Sequence, residues 1–244
     1  MLGLKKEVNS WKNATIMAKA SMYAYKDLNS FKKEFHPEAV LFDRDGTQVY
    51  CWIDNNIACV AFRGTEPNEW SDIKADLKIR KVKVPTGFVH RGFKDALDEV
   101  WEDVLKWIKE QKRESVFFTG HSLGGALATL AASRWNTIET HLYTYGSPRV
   151  GGRKFVKSFL SSNGYRFRNN NDIVTKVPFW IMGFRHHGTE WYINHYGNFR
   201  SKSFWQRLKD SWRGRWKALT KRKFFDGMYD HSITEYSEKL KKLI

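Results

Sequence analysis

Seven residues in the middle of the chain, Gly120-His121-Ser122-Leu123-Gly124-Gly125-Ala126, leave the backbone few choices. They follow a short apolar run, Ser115–Thr119 (SVFFT), of the kind a buried parallel strand makes. They open an Ala- and Leu-rich stretch, Leu123–Trp135, that reads as a helix. G-x-S-x-G in this setting demands a reversal within about two residues, so side chains at Gly120 and Gly124 would collide with their neighbours. The turn lifts the Ser122 hydroxyl above the strand end and places it at a helix N-terminus, where the dipole favours negative charge.

The surrounding patterns build an alternating framework. A helix is expected from about Asn13 to Leu28, then extended chain at Val40–Phe42. Strands are expected at Gln48–Ile53 and Ile57–Phe62, joined as a hairpin by Asp54-Asn55-Asn56. That loop would set Cys51 opposite Cys59, read as two reduced, half-buried thiols. Glu66–Lys83 is polar and then basic, a long excursion before Gly87. Leu97, Val100, Trp101, Val104, Leu105 and Ile108 have the 3–4 spacing of an amphipathic helix over Phe93–Lys109. His141–Tyr145 reads as a strand, Lys154–Leu160 as a helix and Tyr165–Arg168 as a strand. Alternation of this kind specifies an α/β fold with a mostly parallel sheet. The 244 residues suit one domain spanning 1–244, and 41% hydrophobic content is enough for a sizeable core.

A serine is a weak nucleophile without a base, and the base needs an orienting acid. In hydrolases whose serine sits on such a strand–helix elbow the chain order is Ser, then Asp or Glu, then His. Asp172 follows the strand Tyr165–Arg168 and lies at a strand end, where such sheets gather reactive groups. Taken alone it would be an Asx-turn residue capping its loop. Downstream histidines are His186, His187, His195 and His231. His231 sits at a loop-to-helix entry from which a side chain reaches the sheet edge. His186 and His187 lie in a strand-like run, Phe184–Ile193, where packing is the commoner role. Phe62-Arg63-Gly64-Thr65 ends an apolar strand in a turn with free N–H groups. The amides of Thr65 and Leu123 are therefore candidate donors to an oxyanion, with the Thr65 hydroxyl as a third. By itself R-G-T is an ordinary strand-end turn.

Together these pieces resemble the fungal-type, class 3 lipase family of α/β-hydrolases. The matching segments run in the family's order: VAFRGT (60–65), VHRGF (89–93), GHSLGGALA (120–128), YTYGSPRVG (143–151), NDIVTKVP (171–178) and DHS (230–232). The resemblance implies Ser122 as nucleophile, Asp172 as acid, His231 as base, and the Thr65 and Leu123 amides as the oxyanion hole. It implies no cofactor and no metal. Two departures stand out. Thr175 replaces the proline frequent in D-I-V-P, which should alter loop rigidity. Glu66–Lys74, where fungal members carry an apolar lid helix, is polar, so a full interfacial lid is not expected there.

Charge carries the remaining signal. Lys and Arg outnumber Asp and Glu by 42 to 26, a net +16, which points to an anionic partner. Segment 199–225 holds ten Lys or Arg against one acid, more than half of that excess. Trp205, Leu208, Trp212, Trp216 and Leu219 fall on one helical face there, with Arg207, Arg213 and Lys217 among the basic residues elsewhere. That composition suits an interfacial membrane helix, or a cap packed on the body with a solvated basic face. The expected activity is hydrolysis of lipid carboxylic esters, as a triacylglycerol lipase or a phospholipase A1-like enzyme. A phospholipid in an anionic membrane leads and neutral glycerides come next. The rival is a catalytically idle scaffold that binds membranes or nucleic acid, against which the intact Ser, Asp and His set argues; no nucleic-acid module is recognised. Two cysteines exclude a disulfide scaffold and a Cys-based zinc module. With no signal-peptide run at the N-terminus, a cytoplasmic or peripheral-membrane location is expected, other export routes remaining open.

Overall fold

Among the described residues, eight strands form one sheet in the order β1-β2-β3-β6-β7-β8-β9-β10. The structure is a computed structural model and describes residues 3–6, 10–65, 80–161, 163–194, 197–200 and 230–242. The strands are β1 (Val40–Arg44), β2 (Thr47–Asp54), β3 (Ile57–Phe62), β6 (Val116–His121), β7 (Thr140–Tyr145), β8 (Gly164–Asn169), β9 (Thr189–Ile193) and β10 (Phe199–Arg200). From β3 through β9 the neighbours are parallel; β1, β2 and β10 extend the edges antiparallel. Strands β3, β6 and β7 are buried along their whole length, which is why they read as continuous apolar runs.

Helices cover both faces. One face packs beneath α3 (Arg91–Gln111) and α4 (Leu123–Trp135), with Val60, Phe62, Val116 and Phe118 meeting Leu97, Val100, Val104 and Leu130. The expected stripe of α3 is the buried one, and each such side chain gains about 1.5–3 kcal/mol on leaving water. The other face carries α1 (Trp11–Tyr23) and α6 (Ile233–Lys241), with Met17, Ala20 and Leu240 over Cys59, Phe117, Tyr143 and Tyr145. The α/β-hydrolase architecture follows, a mostly parallel sheet between helical layers.

Several local expectations are corrected. In the β2–β3 hairpin Asp54 pairs with Ile57, so the loop is only Asn55-Asn56, both at positive φ. A two-residue loop of this kind matches the twist of its flanking strands. The register consequently sets Cys51 opposite Val60 and Cys59 opposite Trp52, and the two thiols point to opposite faces. Both are free and fully buried, and burial pushes their pKa values well up. The first helix stops at Tyr23, and a second, α2 (Leu28–Glu34), begins where the Asp27 carboxylate accepts the Ser30 N–H. Part of the expected excursion is a strand: β4 (Lys81–Val84) alternates exposed lysines with half-buried valines and pairs with β5 (Gly87–His90). The helix expected at Lys154–Leu160 is the shorter α5 (Arg153–Lys157), beyond which Phe159 stacks on His187. The strand expected over Phe184–Ile193 occupies only Thr189–Ile193.

Candidate active site

Ser122 stands between the last residue of β6 and the first of α4, at φ 59° and ψ −127°. Only close backbone packing holds a non-glycine residue there. Its N–H donates to the Tyr145 carbonyl (3.0 Å), and its own carbonyl accepts from Gly125 N–H (3.0 Å). A Cβ at Gly124 would lie 2.2 Å from the Phe62 carbonyl oxygen, and one at Gly120 would lie 2.3 Å from Gly124. The predicted collisions are thus real, and the elbow exists because those positions lack side chains.

The ends of β6 and β8 and the entry to α6 meet here. The Ser122 hydroxyl donates to His231 Nε2 across 2.8 Å. His231 Nδ1 faces both oxygens of Asp172 at 3.0 Å, so its proton lies on the carboxylate side and leaves Nε2 to accept. Ser122, Asp172 and His231 are 0%, 0% and 2% exposed, which keeps competing water from this chain. The geometry leaves His186 and His187 out: His186 Nε2 donates to the Thr175 carbonyl and His187 Nδ1 to the Val156 carbonyl. Burial, then Arg166, holds the His186 pKa well below the usual range. The side chain of His195 lies outside the described residues.

Asp172 makes two sets of contacts. Its Oδ1 accepts the Val174 N–H (2.9 Å), an Asx-turn that shapes the loop, while the same carboxylate accepts from His231 Nδ1. A third donor escaped the sequence reading. The hydroxyl of Tyr236, on α6, donates to Asp172 Oδ2 (2.6 Å) and accepts the Asn169 N–H (2.8 Å). Burial and the adjacent carboxylate push the tyrosine pKa well up, so the phenol stays a donor. Asp230 was also missed as a fastener. Its Oδ2 accepts from Asn170 Nδ2 and the Asn171 N–H, and its carbonyl accepts from Asn169 Nδ2. The loop of the histidine is thereby fixed to the loop of the acid.

His121 packs against His231. Its Nε2 donates to the His231 carbonyl (2.6 Å), which leaves Nδ1 to accept from the Tyr25 hydroxyl (2.9 Å). Burial first, then charge on His231, holds its pKa well below the ordinary value, so the ring is neutral. Gly146, at φ 59°, lies against the pair so closely that a Cβ would sit 2.7 Å from Asp172 Oδ2 and 2.8 Å from His231 Nδ1.

On the remaining side β3 runs parallel to β6 with Phe62 level with Gly120, so Arg63–Thr65 emerges beside the elbow. A Cβ at Gly64 would approach the His121 carbonyl to 2.6 Å. Thr65 follows, half-buried, and Leu123 occupies the first position of α4, where an N–H finds no carbonyl within its own helix. Trp205, Arg207, Trp212, Arg213, Trp216 and Lys217 lie outside the described residues, as do residues 66–74 of the lid comparison.

The model of the class 3 lipases, "Lipase (class 3)", matches residues 59–182. A secreted mono- and diacylglycerol lipase of Fusarium solani is 38% identical over 114 residues, covering 43% of this chain and 34% of that protein. A lipase of Rhizomucor miehei is 35% identical over 152 residues, covering 55% and 41%. The solved triacylglyceride lipase of Rhizomucor miehei superposes with a TM-score of 0.65 at 25% identity, covering 77% of this chain and 81% of that one. The chain thus spans about a third to two fifths of the length of these curated relatives. No helix among the described residues is long and apolar enough to cross a membrane. With the elbow, the strand-end aspartate and the late histidine in one hydrogen-bonded line inside the matched fold, the chain belongs to the class 3 lipase family.

Proposed function

We propose that this chain is a serine carboxylic-ester hydrolase acting on lipid esters through an acyl-enzyme. Ser122 Oγ attacks the ester carbonyl while His231 Nε2 takes its proton. Asp172 keeps the imidazole in the tautomer that can accept, and stabilises the charged ring once it forms. The oxyanion develops between the Thr65 and Leu123 amides, each such donor contributing about 3–4 kcal/mol to the barrier reduction. His231 then returns the proton to the leaving alcohol. Water, activated by the same histidine, releases the acid. The observation that carries this reading is the unbroken line from Ser122 to His231 to Asp172 on a positive-φ serine.

The substrate reading is finer. The relatives are named for mono-, di- and triacylglycerols. The net +16, concentrated in 199–225, favours a phospholipid ester in an anionic membrane, with the chain attached peripherally. Hydrolysis of matched panels of phosphatidylglycerol, phosphatidylcholine and diacylglycerol tests it. Faster turnover of the anionic phospholipid supports the reading, and faster turnover of diacylglycerol overturns it. Ser122→Ala and His231→Ala should each cost about 10⁴–10⁶ in kcat, and the pair little more. A folded Ser122→Ala protein retaining a tenth of the activity would remove the mechanism and leave an idle scaffold.

A further inference from the structure

Three consecutive large apolar residues, Phe179, Trp180 and Ile181, are 59%, 64% and 79% exposed. Scattered exposed apolar residues are ordinary, but a continuous run of bulky ones is a defect unless something covers it. The run begins seven residues beyond Asp172, on the loop that leaves β8 at the same end of the parallel strands as Ser122. It is a shaped feature. Trp180–Met182 make one 3-10 turn, closed by Met182 N–H to the Phe179 carbonyl and Gly183 N–H to the Trp180 carbonyl, each 3.0 Å.

Two arginines pin its base. Arg149 N–H donates to the Val177 carbonyl (2.8 Å), and Arg149 Nη1 to the carbonyls of Pro178 (2.8 Å) and Lys176. Arg185 Nη1 donates to the carbonyls of Trp180 (2.7 Å) and Phe184 (2.8 Å). Lys176 is exposed beside them, and between Asp172 and Glu190 the sequence contains no acid. Burial first, then the nearby Arg166, Arg168 and Arg185, pulls the Arg149 pKa down to about 10, so several cations lie close together here.

We infer that Phe179–Ile181 is a preformed docking knob for an anionic lipid surface, its apolar tip entering the acyl boundary while Arg149, Lys176 and Arg185 lie among the headgroups. The vertical order is that of a membrane interface, aromatic and aliphatic groups inward and cations at headgroup level. Because the turn is already held by its arginines, little ordering entropy is lost on docking. The knob is a different stretch of sequence from 199–225, and it would direct the strand ends carrying Ser122 and Asp172 toward the lipid. A protein partner would account for the apolar tip but not for the cations beneath it.

The inference rests on the lipid-ester reading for its purpose, but binding is measured without turnover. In the full-length Ser122→Ala protein, the triple change Phe179→Ser, Trp180→Ser, Ile181→Ser should weaken partition onto vesicles of phosphatidylcholine with phosphatidylglycerol by at least about tenfold. Circular dichroism and the thermal midpoint report that the variant is folded. A nitroxide on Ile181→Cys, selective because Cys51 and Cys59 are buried, should become shielded from a water-soluble relaxation agent when vesicles are added. The knob is refuted if the triple variant binds these vesicles as tightly as its parent, or if the bound label stays as accessible as in solution. Equal affinity of the parent for pure phosphatidylcholine overturns the anionic part. Conversion of a dimer to a monomer by the triple change, with vesicle binding intact, makes the knob a contact between copies and overturns it too. Docking through the knob by a chain that cleaves no lipid ester would leave the inference standing and remove the proposed function.

Discussion

Replacing Tyr236 by Phe deletes one oxygen from a fully buried side chain and breaks two hydrogen bonds at once. The first is donated to the Asp172 carboxylate at 2.6 Å, and such bonds to a charged group contribute about 1.5–3 kcal/mol. The second leaves the Asn169 N–H buried without its acceptor, a further cost of about 1–3 kcal/mol. Part of each loss will be recovered by small shifts, so destabilisation of about 2–4 kcal/mol is expected. The catalytic cost is bounded separately. Asp172 keeps the Val174 amide and both contacts to His231 Nδ1, so the tautomer survives. Loss of the charged bond alone limits the fall in kcat to roughly ten- to a hundredfold, far short of the ~10⁴ for a wrong tautomer. Urea unfolding and turnover of a soluble p-nitrophenyl ester measure the two effects. Turnover within twofold of wild type, with unfolding free energy within about 0.5 kcal/mol, would mean that the tyrosine neither braces the carboxylate nor satisfies the loop.

Gly146→Ala should place a methyl within 3 Å of both Asp172 and His231 and lower kcat by at least about a hundredfold, measured with the same soluble ester; a fivefold effect or less would contradict the packing. His141 has its pKa lowered by burial to about 4, so as pH falls below ~6.5 the unfolded chain takes up a proton that the folded chain refuses. Stability is therefore whole above pH 6.5 and falls toward pH 4, by about 2 kcal/mol at pH 5 from this residue, and His141→Leu should shrink the pH 7-to-5 loss seen in urea melts by that amount. Reversing Arg207, Arg213 and Lys217 to Glu should weaken binding to anionic vesicles by more than tenfold at low salt and less as salt rises, at about 1 kcal/mol per cation; an unchanged affinity would return 199–225 to a packed cap.

What the sequence disclosed was chiefly what neighbouring residues decide. The elbow was legible because Gly120 and Gly124 are required by backbone contact within one strand–helix turn. The buried stripe of α3 was legible because its spacing needs no knowledge of the partner. The hairpin register was off by one, since Asp54 reads equally well as a turn residue or a strand end. Its carboxylate accepts the Leu4 N–H, a contact from the far N-terminus that no local pattern contains. Tyr236, the His121–Tyr25 pair and Asp230 remained hidden for the same reason: each acts across 59 residues or more of chain. The exposed turn at Phe179–Ile181 was invisible in another way. An apolar tripeptide in sequence is normally core, and only the fold places this one outside.

The claim that Ser122 is an activated nucleophile is tested most directly by covalent capture. A lipid-like p-nitrophenyl phosphonate should release one nitrophenol per chain, and peptide mapping should find the adduct on Ser122 alone. Ser122→Ala should give no adduct, and His231→Ala should form it at least about a thousandfold more slowly. Labelling of another serine, or an unreactive Ser122 in folded wild-type protein, would contradict the account.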